Sequence, residues 1–457
     1  MVSGLQMDYR RFQSQAQLAC YTNERDAIRE YDATTPITTN LMGTFKDLDY
    51  FEWAKEMDVV SWDNYPGMDT PPSFTAMCHD LMRGIGGNKP FMLMEQTPNQ
   101  QNWFPFCKVK QPGEVCKLSW QAVAHGADTV RFFQMKQSLG GCERFHGAVI
   151  AHDGTEESRV FKETAALGEE LDRIGRRIES RVAIMFDWQS YWSLEGCVGP
   201  TTGFNYPNEV HRFYRALWRR NVPVDMIAST TPLARLSQYD LAIAPALITV
   251  LPGVAETLEA YVADGGTFIT GYMAGIHDEH DLVVPGGYPG KLRRLMGVWV
   301  EEIDALAPGE TIEVHGGTVD AKGEIVASII HREGAERLAT YGGDEFYAGH
   351  SALTVNAYGK GKAYFVGTPL DETGMSAFMA PIIKELDLKS LDTPEDVSLS
   401  VRYGDGGTRY AFLINNSAAD KRLCLSELNG GTELLTGTVI NDLIELKPYG
   451  VDVIALR

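Results

Sequence analysis

The chain has 457 residues, 41 of them Lys or Arg and 61 Asp or Glu, for a formal net charge of −20. An excess that acidic repels phosphate backbones, which argues against nucleic-acid binding and against a basic membrane-surface role. Hydrophobic residues at 44 % and charged residues at 22 % exclude wholesale disorder, and the length suits roughly two to four domains.

Residues 1–178 alternate helices with short apolar strands. A helix is expected over 9–31, with Phe12, Ala16 and Cys20 spaced by four and Ala27, Ile28 and Tyr31 continuing the packing face. Residues 37–40 read as a short β-branched strand. Next come a helix over 47–57, with Tyr50, Ala54 and Met57 on one side, and a strand over 59–65 stopped by Pro66. A helix over 74–83, a strand over 91–95, a helix around 120–125 and a strand over 129–134 follow. A long helix over 156–176, with Asp153 or Thr155 available as its cap, closes the segment. Strands alternating with helices predict βα units and a parallel sheet. These strands amount to half of an eight-stranded barrel, which typically needs about 250 residues.

Residues 179–390 form a second α/β region. Residues 182–186 and 241–244 are near-continuous apolar runs, as buried parallel strands are. Helices are expected over 209–220 and 256–263, and Gly265-Gly266 leads into a strand over 267–270. Neither GxxxxGK[ST] nor GxGxxG occurs, so no nucleotide cofactor is expected. In residues 391–457 the strands become short and alternating, over 398–403, 409–414, 438–440 and 451–456, with Gly-rich turns between them, which predicts a small β-sandwich.

No stretch suits a membrane span. The most apolar uncharged one, 241–255, is short and carries Pro245 and Pro252. The first residues lack a leader-like apolar run. Seven scattered cysteines without a CxxC pair encode no disulfide framework or zinc knuckle, so reduced thiols in a cytoplasm are expected.

In βα folds the working residues sit at the carboxyl ends of the strands. There the sequence offers Tyr65, Glu95, Trp103 in the loop after Glu95, and a loop over 137–146 holding Glu143 and His146. Carboxylates for acid, base or nucleophile work and rings for stacking on a pyranose suit a sugar ligand. Each residue also has a structural reading. Glu95, ending the apolar run Phe-Met-Leu-Met, can sit in a salt bridge; Glu143 and His146 can be a solvated loop pair; Trp103 can be core; Tyr65 can simply pack. The cluster His277-Asp278-Glu279-His280-Asp281 has metal-like composition but is expected to be a solvated acidic loop, as is the patch 301–304. No metal is expected.

Residues 38–43 (Thr-Thr-Asn-Leu-Met-Gly), 48–66, 94–98 (Met-Glu-Gln-Thr-Pro), 145–149 (Phe-His-Gly-Ala-Val) and 152–155 (His-Asp-Gly-Thr) resemble the β-galactosidases of glycoside hydrolase family 42, and the similarity extends through 186–190 and 286–290. The resemblance implies the second half of a (β/α)8 barrel, a Rossmann-like or flavodoxin-like trimerisation domain and a small β-domain. It also implies retaining hydrolysis of terminal β-galactosides, with Glu95 as nucleophile, galactose-binding roles for Tyr65, Trp103, Glu143 and His146, and a homotrimer in the full-length form.

One departure stands out. The family's acid/base glutamate follows an asparagine at the end of the fourth barrel strand, in a half without counterpart here. The pairs Asn23-Glu24 and Asn208-Glu209 lie in or beside charged helices and do not replace it. The chain is therefore expected to be a truncated form, inactive or weakly active alone. The alternatives are a non-catalytic galactoside-binding or trimer-forming module, or a fragment unable to fold by itself.

Overall fold

The computed structural model describes residues 3–171 and 178–456. The N-terminal unit is a four-stranded parallel sheet in the order β1 (Asn40–Leu41), β2 (Ser61–Asn64), β3 (Phe91–Gln96), β4 (Ala127–Val130). Its helices are α1 (Ser3–Arg29), α2 (Tyr50–Trp53), α3 (Pro72–Ile85), α4 (Glu114–Ala124) and α5 (Arg159–Glu170). The expected helix over 47–57 is a single turn, capped by the Asp49 carboxylate on the Phe51 N–H, and it buries Tyr50 and Trp53. Ser158, not Asp153 or Thr155, caps α5. The last expected residues of that helix, 172–176, lie outside the described residues. The strand expected over 129–134 ends instead at Val130.

The packing face expected on the first helix is corrected. Phe12, Cys20, Ala27, Ile28 and Tyr31 are exposed, and the buried positions on α1 are Met7 and Ser14. Arginines dock this helix: Arg10 pairs with Asp47, Arg25 with Glu56 and Arg29 with Asp58. Ion pairs made by long side chains let the apolar stripe Leu5, Tyr9 and Phe12 face outward.

The middle unit contains an eleven-stranded mixed sheet. Its parallel part runs β6 (Asp225–Ile227), β5 (Val182–Met185), β7 (Leu241–Ile243), β8 (Thr267–Gly271), β15 (Gly361–Val366), which is the 2-1-3-4-5 order of flavodoxin-like doubly wound sheets. Helices α6 (Trp188–Gly196) and α7 (Tyr206–Trp218) connect β5 to β6. Beyond β15 an antiparallel wing, unforeseen in the sequence, is built from β9 (Val298–Ala305), β10 (Ile312–Gly316), β11 (Val319–Gly323), β12 (Val326–Arg332), β13 (Glu336–Tyr341) and β14 (Ser351–Tyr358). The acidic patch 301–304 is therefore strand, not loop. Nor is the His277 cluster simply solvated: His277 Nδ1 lies 2.8 Å from Ser193 Oγ and 3.1 Å from Asp281, both partners buried. No group of residues suited to a metal ion occurs among the described residues.

The C-terminal unit pairs β16 (Val397–Tyr403), β17 (Arg409–Asn415), β21 (Val451–Leu456) and β19 (Thr432–Glu433) in one sheet, and β18 (Lys421–Cys424) with β20 (Leu443–Leu446) in a second. The strand expected over 438–440 is only an isolated bridge at Val439. Phe412, Ile414 and Val453 of this unit pack on Trp120, Val123 and Leu167 of α4 and α5. The first and middle units meet where α3 lies on β6, so closely that a Cβ on Gly84 would stand 1.9 Å from the Met226 carbonyl oxygen. No described helix is long and apolar enough to cross a membrane.

Candidate active site

The carboxyl ends of β2 and β3 carry the candidate residues. Leu93 packs in the core beside Trp62, its register partner. One extra residue in β3, Met94, then brings Glu95 level with Asp63. A bulge of this kind re-aims the following side chain, so Glu95 leaves the core side of its strand and shares a face with Asp63 and Tyr65. The Tyr65 hydroxyl donates to Glu95 Oε2 at 2.7 Å. Glu95 makes no ion pair with a basic residue among the described residues, which removes the salt-bridge reading.

Around this pair stand the rings. Trp103 meets the Tyr65 ring edge-on at 4.8 Å between centroids and stacks on His146 at 4.9 Å and 22°. His146 also lies edge-on to Tyr65 at 5.9 Å and to Phe133 at 5.3 Å. Trp103 is 48 % exposed, so it is not core, whereas His146 is fully buried. His146 Nε2 lies 3.2 Å from the Phe133 carbonyl and Nδ1 3.2 Å from Asn102 Oδ1. Burial pushes the His146 pKa below the usual histidine range. The loop carrying Glu143 and His146 is stitched to the Trp103 loop by the Gly147 N–H on the Gln100 carbonyl and the Asn102 amide on the Cys142 carbonyl. Glu143 is half-buried, and its carboxylate has no hydrogen bond or ion pair among the described residues, though its charge is felt at Tyr65 and His146. All five expected residues thus gather in one cluster.

The sequence reading missed Asp63. It sits two residues before Tyr65, on the same strand face, and alternation along that strand was the available signal. Asn40 bonds one of its oxygens; the other, Oδ1, is buried without a partner. Burial, with the Glu95 charge adding to it, pushes the Asp63 pKa up to about 7 despite the Asn40 bond. A carboxyl raised in this way favours the fold while protonated and loses that contribution as the pH rises through about 7. Asp63→Asn keeps the shape and never ionises. Its melting temperature should therefore gain on that of the parent chain between pH 5 and pH 8; a gap independent of pH would contradict this.

A half-buried carboxylate held by a phenol, flanked by an exposed indole stacked on a buried imidazole, is an arrangement that can take a sugar ring at the end of a parallel sheet. The fold that presents it is an α/β protein with a partial parallel sheet. Profiles described as Beta-galactosidase, Beta-galactosidase trimerisation domain and Beta-galactosidase C-terminal domain match residues 1–174, 180–389 and 396–456. Beta-galactosidase BgaP of Planococcus sp. (strain L4) is 47 % identical over 464 residues, covering 99 % of this chain and 68 % of that protein. The crystal structure of a β-galactosidase from Bacillus circulans sp. alkalophilus superposes with a TM-score of 0.95 at 46 % identity, covering all of this chain and 68 % of that one. A cold-adapted β-galactosidase from Rahnella sp. R3 gives 0.94 at 39 % identity with the same coverage. The chain belongs to the β-galactosidases of glycoside hydrolase family 42.

Proposed function

We propose that this chain carries the nucleophile side of a retaining β-galactosidase site, with Glu95 attacking the anomeric carbon of a terminal β-D-galactoside. The observation that carries the reading is the 2.7 Å bond from Tyr65 to Glu95 at the strand end: a phenol kept protonated by burial and by that carboxylate orients the nucleophile without neutralising it. Trp103 offers a stacking face, Glu143 takes galactose hydroxyls, and His146, buried with both ring nitrogens engaged, serves galactose binding by backing the Trp103 indole. Retention needs a second carboxyl about 5–5.5 Å from the first, first as acid on the leaving oxygen and then as base on water. The second glutamate of the cluster, Glu143, is read as a galactose-binding group, so no described residue is assigned the place of the acid. Glu24 lies on α1, and Glu209 is buried in α7, bonded to Tyr272 and Arg212. Asp63 stands beside Glu95 rather than across the sugar from it. The four-stranded sheet, open at β1 and β4, is read as the second half of a barrel within residues 1–178. Residues 179–390 serve homotrimer formation and 391–457 form a small β-sandwich.

Without the acid, the rate depends on how easily the leaving group departs unprotonated. A nitrophenyl β-galactoside should be cleaved about 10²–10⁴-fold more slowly than by an acid-assisted site, whereas a dinitrophenyl galactoside should show a stoichiometric burst. Equal, rapid turnover of both would overturn this reading. The second reading, a galactoside-binding or trimer-forming module without chemistry, rests on that missing glutamate, and it predicts galactose binding with no burst at all.

A further inference from the structure

Beside the Trp103 loop a separate cavity of about 340 Å³ opens between the segments 66–75 and 99–118 and is closed by Asn416 and Tyr449 of the C-terminal unit. Three lysines wall it, Lys108, Lys110 and Lys117, against a single carboxylate, Glu114. That is a local cationic surplus in a chain of net charge −20.

Lys117 is only 8 % exposed, and its ammonium has no hydrogen bond or ion pair among the described residues. It lies 5.8 Å from the centroid of the Tyr449 ring. Lys110 makes one bond, from Nζ to the Asn99 carbonyl at 2.7 Å, and burial lowers its pKa to about 8. Lys108 is exposed and makes no ion pair among the described residues, and Glu114, which accepts from the Gln111 N–H, is the one carboxylate whose charge reaches Lys110 and Lys117. Lysines such as Lys46, Lys55, Lys362 and Lys421, by contrast, each pair with a carboxylate. Buried ammoniums are costly unless fully balanced by opposite charge, and one carboxylate against three lysines leaves this cavity short of an anion. Its frame is fixed: Asn99 Oδ1 accepts from the Lys110 N–H at 3.0 Å, and Arg159 holds the Lys110 carbonyl at 2.9 Å. Asn99 also abuts Gly147, where a Cβ would stand 2.7 Å from the asparagine Cβ, so the cavity and the His146 loop share one wall.

We propose that this cavity binds a small tetrahedral oxyanion of the phosphate or sulfate class, free or carried as a substituent on a sugar. Lysine ammoniums act as point charges toward such groups, and Phe104 and Tyr449 supply apolar surface for an attached carbon skeleton. The test is calorimetric titration of the whole chain with inorganic phosphate at constant ionic strength, with chloride as the control. Saturable one-site binding is expected. Lys117→Met, which keeps the apolar stem, should weaken it roughly tenfold or more. Lys108→Ser, at an exposed position, should weaken it severalfold and leave the melting temperature unchanged, so the test stands even where Lys117→Met lowers stability. Galactose 6-phosphate binding tighter than inorganic phosphate assigns the anion to a sugar substituent; equal or weaker binding assigns it to the free ion. No saturable phosphate binding, or binding unchanged in both lysine variants, overturns the proposal whether or not the chain cleaves galactosides.

Discussion

Glu95→Gln is expected to abolish the covalent galactosyl adduct that the parent chain forms from 2,4-dinitrophenyl β-D-galactoside. Dinitrophenolate departs without a proton, so the first step asks only for a nucleophile placed against the anomeric carbon. The second step, attack by water, needs a base that the described residues do not supply, and the adduct should accumulate. Mass spectrometry of the parent chain should then show one added galactosyl unit on the peptide containing Glu95, with a phenolate burst equal to the protein concentration. Glutamine matches the shape of glutamate and can still accept from Tyr65, but it cannot displace the phenolate. The burst rate should fall by at least about 10³-fold. Glu95 is half-buried and free of ion pairs among the described residues, so the same substitution should change the folding free energy by no more than about 1 kcal/mol. The opposite pattern, a burst retained with stability lost, would make Glu95 a structural residue.

What the sequence made legible follows from what local patterns encode. The apolar run ending in Glu95 announced a strand, and β3 runs over Phe91–Gln96 with Phe91 and Leu93 buried. Trp103 and His146 are far from Tyr65 in the chain; their places in loops after strand ends marked them as candidates, and the family resemblance gave them a galactose-binding role. Asp63 escaped because its elevated pKa comes first from burial, which only the packed fold supplies, with the neighbouring Glu95 charge adding to it. The α1 stripe misled because apolar spacing was taken for the buried face, while arginines on other faces do the docking. The antiparallel wing hid because strands such as β10 and β11 alternate buried with exposed residues among glycines, unlike the continuous apolar runs of the parallel part. Arg83 ends an expected helix, and only the tertiary arrangement buries it between Asp80 and Asp225.

Arg83→Met is expected to destabilise the chain by about 3–5 kcal/mol, which is the largest effect on stability foreseen here and is measurable by urea unfolding. The guanidinium is buried where α3 meets β6. It donates to Asp80 at 2.8 Å, to Asp225 at 2.5 Å and to the Val224 carbonyl at 2.8 Å, while its Nε donates to the His125 carbonyl at 3.2 Å. Tyr214 and His125 complete the partners of Asp80, and Asn88 and Tyr239 those of Asp225. Methionine fills much of the volume but leaves two carboxylates buried without their cation, and that uncompensated charge outweighs the lost packing. Burial alone would raise the Asp80 pKa, yet His125 and Arg83 outweigh it and hold the group down at about 2, below its ordinary 3.8. A depressed acid stabilises the fold above its unfolded pKa and loses that contribution as the pH falls toward the folded value. The parent chain should therefore keep the Asp80 contribution at pH 5 and surrender it between about pH 4 and pH 2. In Arg83→Met the carboxylates sit nearer their protonated form, so acid unfolding should begin at a higher pH. Asp80 and Asp225 belong to different units, and the variant should also loosen the α3–β6 seam before either sheet melts, splitting one unfolding transition into two. A loss below about 1 kcal/mol with a single transition would mean that apolar packing around Gly84, and not the charge cluster, holds the two units together.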